Sequence, residues 1–346
     1  MKALCYHGTR DIRYDSMADP VLADDRDVIV KMARCGICGS DLHIYHGQGF
    51  SPDFGFCVGH EAVGEVVEIG RSVRRLKVGQ KVMLSAAVGC GACDRCLAGD
   101  INHCRNNAMQ CYGLSHRLEG CQAEFIRAPA GDFNCAPIPE GLTADQALML
   151  TDNLPTAWFG LKNAGVSAGQ TVVVVVGLGP IGLMAVEGAF VLGASRVFAI
   201  DLVPERRAIA AGLGATALDP ATAIEEIMAA TSGRMADCAV EAVGADATIN
   251  LAIKAVGRAG TVSVIGVNQT RKFELDMAVA FIKGLTFRIG TCSVPEHWPE
   301  LIPLIQGGRL HPEKFVTHVM PLSEGAEAYR LFDARQAGAL KMVMTG

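Results

Sequence analysis

The run Thr171-Val-Val-Val-Val-Val176, followed at once by Gly177-Leu-Gly179-Pro-Ile-Gly182, leaves this chain few folds to choose from. A β-branched stretch without polar alternation predicts a strand buried on both faces, which a parallel sheet provides. A glycine-rich turn and a helix reaching Leu192 follow it. Alone, G-x-G-x-x-G is a weak signal. Here Arg196-Val-Phe-Ala-Ile-Asp201 adds a second strand that ends in an acid nineteen residues after Gly182. That full context predicts a dinucleotide site. Gly177, Gly179, Pro180, Ile181 and Gly182 then place a pyrophosphate on the helix N-terminus, where free N–H groups and the dipole favour an anion. Asp201 is expected to accept hydrogen bonds from the adenosine ribose and to repel a 2′-phosphate, favouring NAD over NADP. Arg206 and Arg207 are the countersignal, since either could pair with that phosphate.

The alternation continues with helices at Pro204–Leu213, Ala221–Thr231 and Asp246–Val256 and strands at Cys238–Val243 and Thr261–Gly266. It predicts an α/β, doubly wound Rossmann sheet. Val243 and Val267 sit at strand ends on the side where such sheets bind ligands. Thr171 to Leu192 is apolar enough to suggest a membrane helix. Its central glycines, Pro180 and Glu187 favour a buried strand, turn and helix.

At 346 residues, with 50% hydrophobic and 19% charged, the chain can bury two sizeable cores. A formal charge of −5 with no basic run gives no footprint for nucleic acid or an anionic membrane. Met1-Lys-Ala-Leu-Cys-Tyr-His-Gly does not read as a signal peptide. Thirteen cysteines, an odd number in a chain too large to need disulfide staples, point to metal-bound and buried thiols in a reducing cytoplasm.

Two clusters carry metal chemistry. Cys90, Cys93, Cys96 and Cys104 form C-x2-C-x2-C-x7-C, the pattern of a closed tetrahedral zinc site with no room for substrate. An iron–sulfur cluster also takes four cysteines, but its bacterial motifs are spaced differently and end in Cys-Pro, absent here. A zinc-ribbon nucleic-acid module is a further alternative, though the lobe is not basic. The second cluster is Cys38-Gly-Ser40-Asp41-Leu-His43 followed by Gly59-His60-Glu61. Cysteine, histidine and one carboxylate suit a zinc that keeps an open position for chemistry. Gly36 and Gly39 suit a tight turn around Cys38. Asp41 reads equally as a carboxylate orienting His60 or as a turn residue, and Ser40 on its own as a turn cap.

These motifs resemble the zinc-dependent medium-chain alcohol dehydrogenase family (medium-chain dehydrogenase/reductase), over nearly the whole chain. The resemblance implies a β-rich, GroES-like catalytic domain, 1–152 with 291–346, around a Rossmann domain, 153–290. It makes Leu150-Thr-Asp152-Asn-Leu-Pro-Thr156 the segment of the third zinc ligand, here Asp152 instead of the more common cysteine. Asp152 as a plain helix cap is the competing reading. It implies that Glu61 lies close to the zinc or ligates it transiently. Ser40 would hydrogen-bond the alcohol oxygen, His43 would accept the proton through the cofactor ribose, Thr156 would contact the nicotinamide and Arg206 would lie along the ribose. Two zinc ions, NAD, a small alcohol, aldehyde or ketone substrate, and a homodimer or tetramer follow as expectations. Within the family a polyol, amino-alcohol or formaldehyde dehydrogenase is the alternative. A non-catalytic zinc- and dinucleotide-binding protein would have no need of Ser40 and His43. Zinc-free quinone reductases share the fold but lack these ligands. Ala86, where the family often carries a bulky aromatic, predicts room beside the carbinol carbon unless Trp158 or Trp298 fills it.

Overall fold

The computed structural model describes residues 1–106, 110–169, 171–269 and 272–346. They form two compact units, Met1–Pro155 with Cys292–Gly346, and Thr156–Thr291.

The first unit is built on a seven-stranded sheet. Its order is His318–Pro321, Met342–Thr345, Val28–Ile37, Ala62–Ile69, Lys81–Leu84 and Cys135–Pro137, with Phe125–Ala128 also on Val28–Ile37. All these pairings are antiparallel except that of His318–Pro321 with Met342–Thr345. In the long strand Val28–Ile37 buried Val30 and Met32 alternate with exposed Lys31 and Ala33. That period of two puts one face on a core containing Val30, Phe56, Tyr112 and Tyr329. A hairpin, Lys2–Gly8 with Asp11–Ser16, lies beside this sheet in sequence and forms its own pair. Thr143 caps the helix Ala144–Met149 through a reciprocal box with Gln146.

The second unit is a six-stranded, all-parallel sheet. Its order is Thr216–Leu218, Arg196–Ile200, Val172–Val176, Ala236–Glu241, Val256–Val264 and Thr286–Ile289. Numbered along the chain this is 3-2-1-4-5-6, the doubly wound order, and it reverses between Val172–Val176 and Ala236–Glu241. Every residue of Val172–Val176 is buried, as its unbroken valines require. The short strand Thr216–Leu218 and the helix Met277–Lys283 were not legible in the sequence. Both are small, and neither shows a clean apolar period. None of the helix residues is buried, and Phe281 is 85% exposed. Among the described residues the neighbouring strand Thr286–Ile289 pairs on one side only, and it is exposed throughout.

Among the described residues no helix is long and apolar enough to cross a membrane. The apolar stretch Thr171 to Leu192 is the strand, turn and helix of the second unit.

Candidate metal centres and dinucleotide edge

Strand register builds the first centre. Ile37 pairs with Met342 and Cys35 with Ala62, so Cys38, Glu61 and Lys341 all leave one end of three neighbouring strands. Asp152 arrives just before the helix Asn153–Ala164. One ligand atom each from Cys38, His60, Glu61 and Asp152 lies within 4.8 Å of the others. Cys38 Sγ is 3.4 Å from Asp152 Oδ2, and His60 Nε2 is 3.6 Å from the same oxygen. Zn–S of about 2.3 Å and Zn–N or Zn–O of about 2.0–2.2 Å set the ligand atoms of a tetrahedral ion about 3.3–3.8 Å apart. The donor set therefore fits zinc in kind and in spacing.

The electrostatics point the same way. Burial disfavours a charged imidazole at His60, but Asp41, then Cys111 and Asp152, outweigh it and hold its pKa well above the usual range. Asp152 is drawn down to about 2: burial pushes its carboxyl up, and His60 and Lys341 more than reverse that. Burial raises the Cys38 thiol, with Asp152 adding to it. Such a cluster favours a positive charge at its centre.

Ser40 Oγ lies 3.3 Å from His60 Nε2 and does not cap the helix Asp41–Tyr45. Ser40 still occupies the N-cap position of that helix, without a side-chain cap bond. Asp41 serves the turn, and it faces His60 without hydrogen-bonding it. Its Oδ2 accepts the Cys38 N–H at 2.9 Å, and its Oδ1 is 3.2 Å from His60 Nδ1, though neither of those two atoms is aligned for a hydrogen bond. His43, on the same short helix, is half-buried. Burial first, and then His46, hold its pKa below 6.5, with Gln48 acting the other way. Gly36 does not serve a turn; it lies within Val28–Ile37. A Cβ there would strike Glu61 Oε2 and come within 3.0 Å of Lys341 Nζ, so its missing side chain makes room for that pair. No left-handed φ is required at Gly36 or Gly39.

The second centre gathers the four cysteines Cys90, Cys93, Cys96 and Cys104. Sγ of Cys90 and Cys96 are 3.9 Å apart, and those of Cys93 and Cys104 are 4.0 Å apart. Four thiolates on a tetrahedral zinc stand about 3.8 Å from one another. Backbone N–H groups, Cys96 foremost, lower the Cys93 thiol to about 6. Cys96 instead is raised to about 12 by burial.

In the second unit Gly177 has φ +91, and a Cβ there would strike Val243 Cγ2. A Cβ on Gly182 would run into Gly177 O, so the helix Pro180–Val191 can pack on the turn only with glycine at this position. At Gly179, the helix N-cap, a Cβ would meet nothing within 4 Å. Pro180 and Ile181 open the helix, half-buried beside that space. This is an open cradle at a helix N-terminus, and it fits a pyrophosphate. Asp201 Oδ2 accepts the Leu178 N–H at 2.7 Å and Oδ1 the Val203 N–H at 2.8 Å, tying the acid to the glycine turn. Val243 is 45% exposed on the same strand-end side, where Gly244 packs against Val267 O. Arg206 and Thr156 are half-buried in this unit.

Residues 24–140 match the family model for the alcohol dehydrogenase GroES-like domain, and 180–307 that for the zinc-binding dehydrogenase. A Mycobacterium tuberculosis protein named "Probable zinc-binding alcohol dehydrogenase" is 42% identical over 99% of this chain and 88% of its own length. Alcohol dehydrogenase TADH from Thermus sp. ATN1 superposes with a TM-score of 0.93 at 36% identity, covering 100% of this chain and 99% of its own. A zinc-binding dehydrogenase from Sinorhizobium meliloti 1021, bound to NADP, gives 0.85 at 27%, again covering 100% and 99%. The chain belongs to the zinc-dependent alcohol dehydrogenase family of medium-chain dehydrogenases/reductases.

Three neighbours of the mixed-ligand centre in this family member carried no role in the sequence reading. Asn153 Nδ2 donates to Glu61 Oε1 at 2.8 Å and Asp152 Oδ2 at 3.0 Å, and lies 3.8 Å from Cys38 Sγ. Lys341, fully buried, ion-pairs with Glu61 Oε2 and donates to Ile37 O at 3.1 Å. A lysine inside the apolar run Ala339-Leu-Lys-Met-Val-Met was the available signal for it. Cys111 also feels this centre. Burial holds its thiol up to about 12, with His60 acting the other way. Ala86, buried, donates its N–H to Thr151 O, next to Asp152. Trp298 Nε1 donates to Leu150 O at 2.8 Å, in the same segment. Trp158 packs beneath Gly188 in the nucleotide-binding unit.

Two separable ligand sets give a direct expectation. Purified protein should carry two zinc ions per chain by elemental analysis. His60→Ala should remove one and mainly harm turnover. Cys93→Ser should remove the other and lower the melting temperature by several degrees, because structural zinc binding is coupled to folding. A single zinc in the unaltered protein would contradict this.

Proposed function

We propose that this chain is a zinc-dependent alcohol dehydrogenase that reversibly oxidises primary or secondary alcohols with NAD. One observation carries the reading. Cys38, His60 and Asp152 converge at zinc spacing, with the Ser40 hydroxyl beside the metal-facing His60 nitrogen. Three protein ligands and one open position are the arrangement of a catalytic zinc, as against a structural one. Zinc held there would supply Lewis-acid polarisation of the substrate oxygen, and a bound nicotinamide would accept the hydride. The chain's own part is to orient and to move a proton. Ser40 Oγ, beside His60 Nε2, would take the hydroxyl proton as it passes its own on, and the downward shift of His43 favours a neutral ring able to receive it. Asp41 holds the Cys38 loop by accepting the Cys38 N–H, beside the far side of the His60 ring.

Asp201 supports NAD. Arg207 is already engaged by Asp219 Oδ2 at 2.9 Å and by the carbonyls of Asp201 and Leu202, so it is occupied within the fold. The NADP bound to the S. meliloti relative favours the opposite choice. The ratio of kcat/KM values for NAD and NADP decides between them. It should exceed tenfold in favour of NAD, and Asp201→Gly should shift it at least tenfold toward NADP. Equal efficiency with the two cofactors would refute the preference.

Small Ala86 beside Thr151 supports a substrate larger than ethanol. Each additional buried methylene contributes about 0.8 kcal/mol, so two or three carbons change specificity by about tenfold or more. Medium-sized primary or secondary alcohols should outperform methanol and ethanol, and Ala86→Trp should selectively harm the larger ones. Equal losses on ethanol and on a bulky secondary alcohol would place Ala86 outside the pocket.

The exposed edge strand Thr286–Ile289, with Phe281 and Ile282 nearby, supports a homo-oligomer. An unpaired strand edge can be satisfied by the same edge of a second copy across a two-fold axis. Light scattering should give a dimer or larger, and Phe287→Lys should shift it toward monomer. A monomer at micromolar concentration would exclude this seam.

A further inference from the structure

Four protein donors, not three, surround the mixed-ligand centre: Cys38, His60, Asp152 and Glu61 all lie within mutual reach. If all four bound one zinc, the site would be closed and chemically idle. Something has to keep Glu61 back. Its carboxylate is 1% exposed, so water does not do it. Oε1 accepts from Asn153 Nδ2 at 2.8 Å, and Oε2 is paired with Lys341 Nζ. The ammonium group is itself anchored on Ile37 O, next to the metal-ligand loop. Gly36 has no side chain where the two groups meet. A lysine with 0% exposure is costly to bury and persists only with its partner in place.

We propose that Lys341 is a positioning residue that holds the Glu61 carboxylate off a metal ion bound by Cys38, His60 and Asp152, and so keeps the fourth position open. This rests on the zinc reading above. Without the ammonium group, Oε2 is a buried acceptor with no donor, and the nearest cation is the metal. Glu61 then completes a closed set of four.

The test uses the full-length protein reconstituted with cobalt(II), with imidazole as the added ligand and visible absorption as the readout. Only an open site responds to imidazole, because the four-cysteine site is closed. The unaltered protein should give a saturable spectral change. Lys341→Met should lose that change or weaken the apparent imidazole affinity at least tenfold, and its zinc should pass to a chelator at least several-fold more slowly. Lys341→Arg should behave as the unaltered protein. Lys341→Met combined with Glu61→Gln should recover the imidazole response, which a merely damaged fold would not do. Lys341→Gln keeps a donor amide without the charge and should show the loss in weaker form; it serves where the methionine variant does not fold. An unchanged response in the Met and Gln variants, or no recovery in the double variant, would overturn the proposal. Uptake of only one cobalt by the unaltered protein would overturn the metal reading itself, and the role of Lys341 with it.

Discussion

The fold of the first unit is constrained by a buried collection of acids that cannot stand alone. Cys38, Asp41, Glu61 and the partly exposed Asp152 meet with His60 and Lys341. Uncompensated, each buried charge would cost several kcal/mol. Asp41, Cys111 and Asp152 favour a charged His60 imidazole, and His60 and Lys341 favour an ionised Asp152. A divalent ion satisfies the same demand better, because it can meet thiolate, imidazole and carboxylate at once. Metal binding and local order are therefore one equilibrium.

Sheet register is what makes that collection possible. The donors come from positions 38, 60 to 61, 152 and 341, which the chain alone would leave far apart. The strand Val28–Ile37 has Ala62–Ile69 on one side and Met342–Thr345 on the other, with Cys35 opposite Ala62 and Ile37 opposite Met342. A slip of one residue in either pairing would turn the side chains of that strand to the other face. The segment from Cys292 to the end thus returns to the first unit with a purpose. It closes the sheet and delivers the only cation among the described residues that touches Glu61.

Features that repeat or cluster locally were legible in the sequence. The valine run, the glycine turn and the acid at Asp201 specify a parallel sheet, because each is a demand of the backbone. Four cysteines in fifteen residues specify a metal lobe in the same way. Asn153 and Lys341 were not legible, since their importance lies in contacts made at long range, with Glu61 ninety-two and 280 positions away. Gly36 was misread for the same reason. A turn is a local expectation, whereas the crowding that requires glycine there comes from a side chain on another strand. The exposed helix Met277–Lys283 had no apolar period to read, because it packs no buried residue.

Charge explains why the two centres are built differently. Four thiolates around a divalent ion leave an excess of negative charge, which N–H donors can spread. The Cys96 N–H points at Cys93 Sγ, the Cys90 N–H at Cys104 Sγ and Asn106 Nδ2 at Cys90 Sγ. That lobe needs no cation beyond the metal, and a closed shell suits it. At the other centre one thiolate and one carboxylate would already neutralise a divalent ion, and a neutral imidazole would complete the set. A second carboxylate on the metal would add negative charge and reduce the Lewis acidity that an open position requires. Pairing Glu61 with Lys341 removes that charge from the account while keeping the carboxylate within reach. Asp41 is left to the Cys38 N–H and the neighbourhood of His60. A zinc held by Cys38, His60 and Asp152 alone would be short of one ligand, which is the condition for substrate to enter.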